Sequence, residues 1–192
     1  MVALAGVSAV KVAGNRIRHH HDPELDGLAA HPGTLTHHRL ATTDGGELHV
    51  VDTGGDGQPV VLMHGVTLQW WVWSALIGLL RPRYRVLAWD MRGHGESRAG
   101  SDGVSLTAVA DDLAVLLREL DLDDVILVGH SMGGMGLGCF VRDHRDEALA
   151  RVAALYFVAT SACAIDISPR YGTLRTAYGL AGFALLNGLR RP

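Results

Sequence analysis

One apolar run that ends in Gly-His-Ser-Met-Gly constrains the fold of this chain more than any other feature. Residues 125–128 are apolar, rich in β-branched side chains and of strand length, and the residues after the motif can form a helix. A serine between two glycines at a strand-to-helix turn is typical of a nucleophile elbow, where the side chain stands at the apex. Gly129 and Gly133 are expected in such a turn because a Cβ would collide there. The motif therefore predicts Ser131 as a nucleophile.

The partners that a serine nucleophile requires are missing from the later part of the sequence. A histidine must accept the serine proton, and an acid usually orients that histidine. In hydrolases of the elbow type the chain order is serine, then acid, then histidine. All 11 histidines lie at or before His144, and Asp166 is the only carboxylate after residue 147. We therefore expect that neither the base nor the acid of a catalytic triad is present.

Composition and length indicate one globular domain. With 192 residues, 48% of them hydrophobic, the chain can bury one sizeable core. A formal charge of -3 provides no basic surface for nucleic acid, so no nucleic-acid partner is expected. Cys139 and Cys163 have neither the spacing of a metal site nor that of a disulfide framework. These features favour a reducing, cytoplasmic location without a structural metal.

Residues 1–35 are predicted to be a partly disordered N-terminal extension. Residues 1–14 are small and apolar but too few to span a bilayer, and membrane association through them is the less favoured alternative. Residues 15–34 are polar and rich in turn formers. Three successive histidines at 19–21 lack a second ligand cluster at any known spacing, so we interpret them as solvated rather than metal-binding.

An alternation of strands and helices begins at Thr36. Two short strands flank the turn at residues 44–46, which is a hairpin signal. Four further apolar runs have strand length: residues 59–65, 84–90, 124–130 and 150–159. Helical patterns lie between them at residues 71–80, 106–120 and 132–143. Continuous apolar strands that alternate with helices predict a doubly wound, mostly parallel α/β sheet covered on both faces.

Three motifs in order carry a resemblance to a known family. They are His64-Gly65 after the third strand, residues 90–97 (DMRGHGES) after the fourth, and residues 129–133 (GHSMG) after the fifth. With them, residues 36–165 resemble the N-terminal part of an α/β-hydrolase fold enzyme, in the group of esterases, cofactor-free haloperoxidases and C–C bond hydrolases. The resemblance implies that residues 166–192 begin a helical cap. It also implies a C-terminally truncated domain whose sheet lacks its last strands.

The same resemblance implies an oxyanion hole beside the serine. Its two donors would be the backbone N–H groups of Val66 and Met132, which converge on one oxygen. His64 and Gly65 would belong to the supporting motif, with His64 packing and hydrogen-bonding beneath the loop rather than acting as the base. No cofactor is implied, and the expected partner is a small-molecule acyl substrate.

Two features allow more than one interpretation. The loop at residues 90–97 either contacts substrate or is braced by local Asp–Arg and backbone hydrogen bonds, and the resemblance favours bracing and a non-catalytic His94. Trp70, Trp71 and Trp73 either line an acyl pocket or pack in the core, and the sequence does not decide between these.

The predicted function is that of a serine hydrolase acting on a carboxylic ester or a related acyl substrate, incomplete in the chain as given. Relatives with epoxide hydrolase or haloalkane dehalogenase activity resemble this sequence but carry aspartate at the elbow, whereas Ser131 indicates acyl transfer. The alternative is an inactive fragment or a binding protein without a working triad. In either case the sixth strand would be an exposed apolar edge in need of a partner.

Overall fold

The computed structural model describes residues 32–161. Its strands are β1 (Thr36–Ala41), β2 (Glu47–Asp52), β3 (Gln58–Met63), β4 (Tyr84–Asp90), β5 (Val125–His130) and β6 (Val152–Val158). Its helices are a 3-10 turn at Trp70–Trp73, followed by α1 (Ser74–Leu80), α2 (Leu106–Glu119), α3 (Met132–Asp143) and α4 (Arg145–Arg151). The predictions for residues 1–31 and 162–192, including the histidine run and the start of a cap, lie outside the described residues.

The six strands form one sheet in the order β1-β2-β4-β3-β5-β6. The β1–β2 hairpin and the β2–β4 pair are antiparallel, while β4–β3, β3–β5 and β5–β6 are parallel. The hairpin turn is closed by the Thr42 carbonyl, which accepts from the Gly45 N–H at 3.2 Å. The doubly wound, mostly parallel sheet predicted from the sequence is therefore confirmed.

Helices cover both faces of this sheet, which explains why its central strands are apolar throughout. On one face α2 and α3 pack on the strands, with Leu113 and Phe140 among the buried side chains. On the other face Ile77 of α1 is buried against the strands, and Trp70 and Trp73 pack beside it. These two tryptophans therefore belong to the core, whereas Trp71 is exposed.

The ends of two helices follow from local sequence. Ser105 provides the N-cap of α2, because its Oγ accepts from the Ala108 N–H at 3.1 Å. α4 is not among the sequence predictions, although Asp146 and Glu147 in its first turn and Arg151 in its last turn suit the helix dipole.

Within residues 32–161 no helix is long and apolar enough to cross a membrane.

Arg92 does not pair with Asp90, so the predicted local Asp–Arg brace is wrong in that respect. Its guanidinium instead binds Asp112 of α2 through two N–O contacts of 2.7 Å, and Asp44 of the hairpin turn at 3.0 Å. Asp90 turns to the opposite face of the sheet, where His49 is its cross-strand neighbour. The loop after β4 is therefore braced by long-range contacts on both faces.

β6 is an outer strand of the sheet within the described part of the chain. Tyr156, Phe157 and Val158 near its C-terminal end are 56%, 46% and 44% exposed. Such an apolar edge offers unpaired backbone groups to another strand. That a partner covers this edge stays a prediction.

Candidate active site

Ser131 lies in a strained turn between β5 and α3. Its backbone has φ 51° and ψ -115°, a region that favours glycine, so the surrounding contacts must hold it there. The Ser131 N–H donates to the Val158 carbonyl at 3.0 Å, and its own carbonyl accepts from the Thr160 hydroxyl at 2.6 Å. The C-terminal end of β6 therefore fastens the turn on both sides of the serine.

The glycines of the motif allow this turn to pack closely. A Cβ on Gly129 would lie 2.6 Å from the Cα of Gly134, and one on Gly133 would lie 2.5 Å from the Met63 carbonyl oxygen. Both contacts are with backbone, which cannot rotate away. The close approach expected at these two positions is present.

Replacing Gly133 by alanine is expected to destabilise the protein by about 3 kcal/mol, because overpacking against backbone forces strand β3 and helix α3 apart. Gly138 in the same helix is the matched control, since a Cβ there meets nothing within 4 Å. Gly138→Ala should stabilise the helix by about 1 kcal/mol. Urea unfolding of both variants measures the difference, and equal effects would contradict the packing argument.

The loop after β3 lies directly against Ser131. A Cβ on Gly65 would be 3.2 Å from the Ser131 Cβ, so the two backbones are in close contact. The Leu68 N–H donates to the Gly65 carbonyl at 3.2 Å, and Thr67 has φ 66° in this four-residue turn. A non-glycine residue in that conformation is strained. Among residues 32–161, no acceptor is bonded to the N–H of Val66 or of Met132.

Both ring nitrogens of His64 form hydrogen bonds that hold this loop in place. Its Nδ1–H donates to the Gly65 carbonyl at 2.7 Å, and its Nε2 accepts from the Met91 N–H at 3.0 Å. Burial lowers the pKa of the ring, which favours the neutral form that these two hydrogen bonds require. With both nitrogens engaged, His64 is not free to accept a proton from Ser131.

Three other described histidines have hydrogen-bond partners other than the Ser131 hydroxyl. His94 directs Nδ1 at the Arg92 carbonyl, 3.1 Å away, and its ring centroid is 5.1 Å from that of His64. His144 follows Ser131 in sequence but lies beyond the far end of α3, bonded to Asp111 at 2.7 Å. His37 is on β1, four strands from β5, which corresponds to roughly 19 Å. In the described part of the chain no histidine is hydrogen-bonded to Ser131.

Four residues of the motif at residues 90–97 are buried, namely Asp90, Met91, Arg92 and Ser97. Asp90 is buried, and its carboxylate accepts from the N–H groups of Trp70 and Glu96 at 2.8 and 3.1 Å. Ser97 donates through Oγ to the Asp90 carbonyl at 2.5 Å. These contacts favour bracing over substrate contact.

Over residues 32–161, no group of three metal-ligating side chains is present.

Comparison with known proteins places this chain in a family. The profile of the alpha/beta hydrolase fold matches residues 58–185. A non-heme chloroperoxidase of Kitasatospora aureofaciens is 45% identical over 104 residues, which are 54% of this chain and 38% of that protein. A soluble epoxide hydrolase of Corynebacterium sp. (strain C12) is 37% identical over 112 residues, 58% of this chain and 38% of that protein.

Solved structures agree with the profile. An esterase from Exiguobacterium antarcticum superposes with a TM-score of 0.67 at 26% identity, over 80% of this chain and 60% of that one. A thermophilic esterase from Thermogutta terrifontis gives 0.60 at 35% identity, over 73% and 50%. The chain thus spans between 38% and 60% of the length of these four relatives. Since the profile matches more than half of its length, the chain belongs to the α/β-hydrolase fold family.

Proposed function

We propose that this chain carries the nucleophile and the oxyanion hole of a serine hydrolase that acts on a carboxylic ester or a related acyl substrate. The observation that carries the proposal is the contact between the strained turn at Ser131 and the loop at Gly65. That contact supports an oxyanion hole formed by the N–H groups of Val66 and Met132, neither of which has an acceptor among the described residues. Convergent donors beside a nucleophile are what acyl transfer requires.

The residue at the apex of the elbow helps to choose between the activities named among the relatives. Those relatives include an epoxide hydrolase and esterases. A serine hydroxyl forms an acyl-enzyme with an ester and has a proton to lose, whereas relatives that open epoxides carry an aspartate there. Ser131 therefore favours the esterase type of chemistry.

The proposed reaction begins when Ser131 Oγ bonds to the acyl carbon and its proton passes to a general base. The carbonyl oxygen becomes an oxyanion that accepts from the N–H groups of Val66 and Met132, with the N-terminus of α3 adding a favourable dipole. Collapse breaks the ester C–O bond and releases the alcohol, which takes up a proton. Water then hydrolyses the acyl-enzyme and frees Ser131.

A second candidate is a binding protein without turnover. The observation in its favour is that no described histidine is hydrogen-bonded to Ser131, and that His64 and His94 direct ring nitrogens at backbone groups instead. Such a protein would keep the turn at Ser131 and the loop at Gly65 but leave the serine unactivated.

A fluorophosphonate probe distinguishes the two candidates. Peptide mass spectrometry of the labelled full chain should find the adduct on Ser131, formed about a thousandfold faster than on the exposed Ser101. That ratio is the residual effect of an oxyanion hole without a complete triad. The adduct should be absent from Ser131→Ala. Equal labelling of the two serines in folded protein would reject the hydrolase proposal and favour the binding protein.

A further inference from the structure

A line of hydrogen bonds connects the surface of β1 with the buried end of β4. His37 Nδ1 lies 2.8 Å from His49 Nε2, and His49 Nδ1 lies 3.0 Å from Asp90 Oδ2. His49 and Asp90 are buried, whereas His37 is exposed. The two rings are 20° from parallel with centroids 5.1 Å apart, so they meet nitrogen to nitrogen rather than face to face.

Hydrogen-bonding rules assign the protons along this line. Asp90 already accepts from two backbone N–H groups, and an ionised carboxylate only accepts, so His49 donates to it through Nδ1. His49 Nε2 is then the acceptor, and His37 donates through Nδ1. Asp90 thereby fixes the tautomers of both rings.

Asp90 and its neighbour Met91 hold both ends of the loop that carries Val66. The Trp70 N–H donates to Asp90 Oδ1 at 2.8 Å, and the Met91 N–H donates to His64 Nε2 at 3.0 Å. Between these two points the Val66 side chain is 56% exposed and gives the loop little packing support. The position of the Val66 N–H beside Ser131 therefore depends on these two attachments.

We propose that Asp90 is a positioning residue for the Val66 N–H, and that His49 and His37 hold its carboxylate in the orientation that the loop requires. The proposal rests on the function proposed above, in which that N–H binds the oxyanion. Arg39 pairs with Glu96 and, at 3.8 Å, with Glu47, and none of these three charged groups pairs with the carboxylate of Asp90.

Asp90→Asn tests the proposal because it changes donors without changing shape. The amide oxygen takes the place of Oδ2, which accepts from His49 and from the Glu96 N–H, so the amide NH2 group takes the place of Oδ1 and faces the Trp70 N–H. Asp90→Asn therefore breaks the attachment of the loop at Trp70, while His49 and His37 keep their tautomers. Asp52→Asn is the matched control. Asp52 is also buried, but its partners are Arg85 and His38 on the other face of the sheet.

Nitrogen-15 NMR of the full chain reads the tautomers and the loop without any need for activity. We expect Nδ1–H tautomers at His37 and His49 both in the wild type and in Asp90→Asn. The Val66 and Trp70 amide resonances should move in Asp90→Asn and stay in place in Asp52→Asn. Nε2–H tautomers in the wild type, or equal movement of Val66 in the two variants, would overturn the proposal.

A milder pair of variants covers the case in which Asp90→Asn fails to fold. His37→Ala removes the exposed end of the line, and His38→Ala removes its neighbour on the opposite face. Only His37→Ala should shift the Nε2 resonance of His49, which loses its donor, and move the Trp70 amide. No change at either position would overturn the part assigned to His37.

Fluorophosphonate labelling supplies the functional measurement. Asp90→Asn should label Ser131 about a hundredfold more slowly than Asp52→Asn at matched thermal stability, which is the effect of a misplaced catalytic group. Equal labelling rates would make Asp90 a structural residue only and overturn the proposal. Absence of labelling in the wild type rejects the proposed function instead, and the NMR result then decides the positioning role separately.

Discussion

The 192-residue chain by itself is expected to hydrolyse a p-nitrophenyl ester about a millionfold more slowly than an enzyme with a complete triad. The estimate follows from variants of serine hydrolases in which the triad is removed and only the oxyanion hole and substrate binding remain. Here no histidine in residues 32–161 bonds to Ser131, and the sequence has none after His144. Steady-state release of p-nitrophenol by purified chain measures the rate.

Adding the C-terminal part of an esterase relative provides the control for this experiment. The chain spans 50% of the Thermogutta terrifontis esterase that it matches, so the remainder of that protein is the natural segment to join. The fused protein should recover turnover, and Ser131→Ala in the fusion should abolish it. Strong, Ser131-dependent turnover by the chain alone would contradict the expectation and would direct attention to His94 or His64 as the base.

Elements that show a clear apolar pattern in consecutive residues could be predicted with nearly the observed bounds. The apolar run at residues 84–90 coincides with β4, and the pattern at 132–143 coincides with α3. β4 lies inside the sheet with helices on both faces, where most side chains must be apolar, and α3 buries one face against the core. α4 was missed because it has seven residues and follows α3 after a single residue, His144, so its pattern merges with that of its neighbours.

In the candidate active site, too, local features could be predicted from the sequence and long-range contacts could not. Ser131 and the glycines around it were predictable because the strand-turn-helix context is local. The contact from Thr160 to the Ser131 carbonyl was not, since it comes from a residue 29 positions later. The partners of Arg92 were also hidden, although one signal existed: Asp112 lies among Leu113, Ala114 and other buried residues of α2, where an unpaired carboxylate would be costly.

Asp112→Asn is expected to lower the free energy of unfolding by about 3–5 kcal/mol, the usual effect of breaking a buried ion pair by removing one partner. Asp112 and Arg92 are both buried and joined by two N–O contacts of 2.7 Å. Burial raises the pKa of Asp112 while the guanidinium opposes that shift, so the carboxylate depends on this partner. When the Asp112 carboxylate is removed, Arg92 keeps only Asp44 and the Gly103 carbonyl as acceptors.

The adjacent residue provides a matched control for this measurement. Asp111 is half-exposed and pairs with His144 at 2.7 Å, so Asp111→Asn should cost no more than about 1 kcal/mol in the same urea titration. The double variant Arg92→Met/Asp112→Leu should be more stable than Asp112→Asn, because it removes the buried charge together with its partner. If Asp112→Asn and Asp111→Asn lowered stability equally, the ion pair would not be what attaches α2 to the loop after β4.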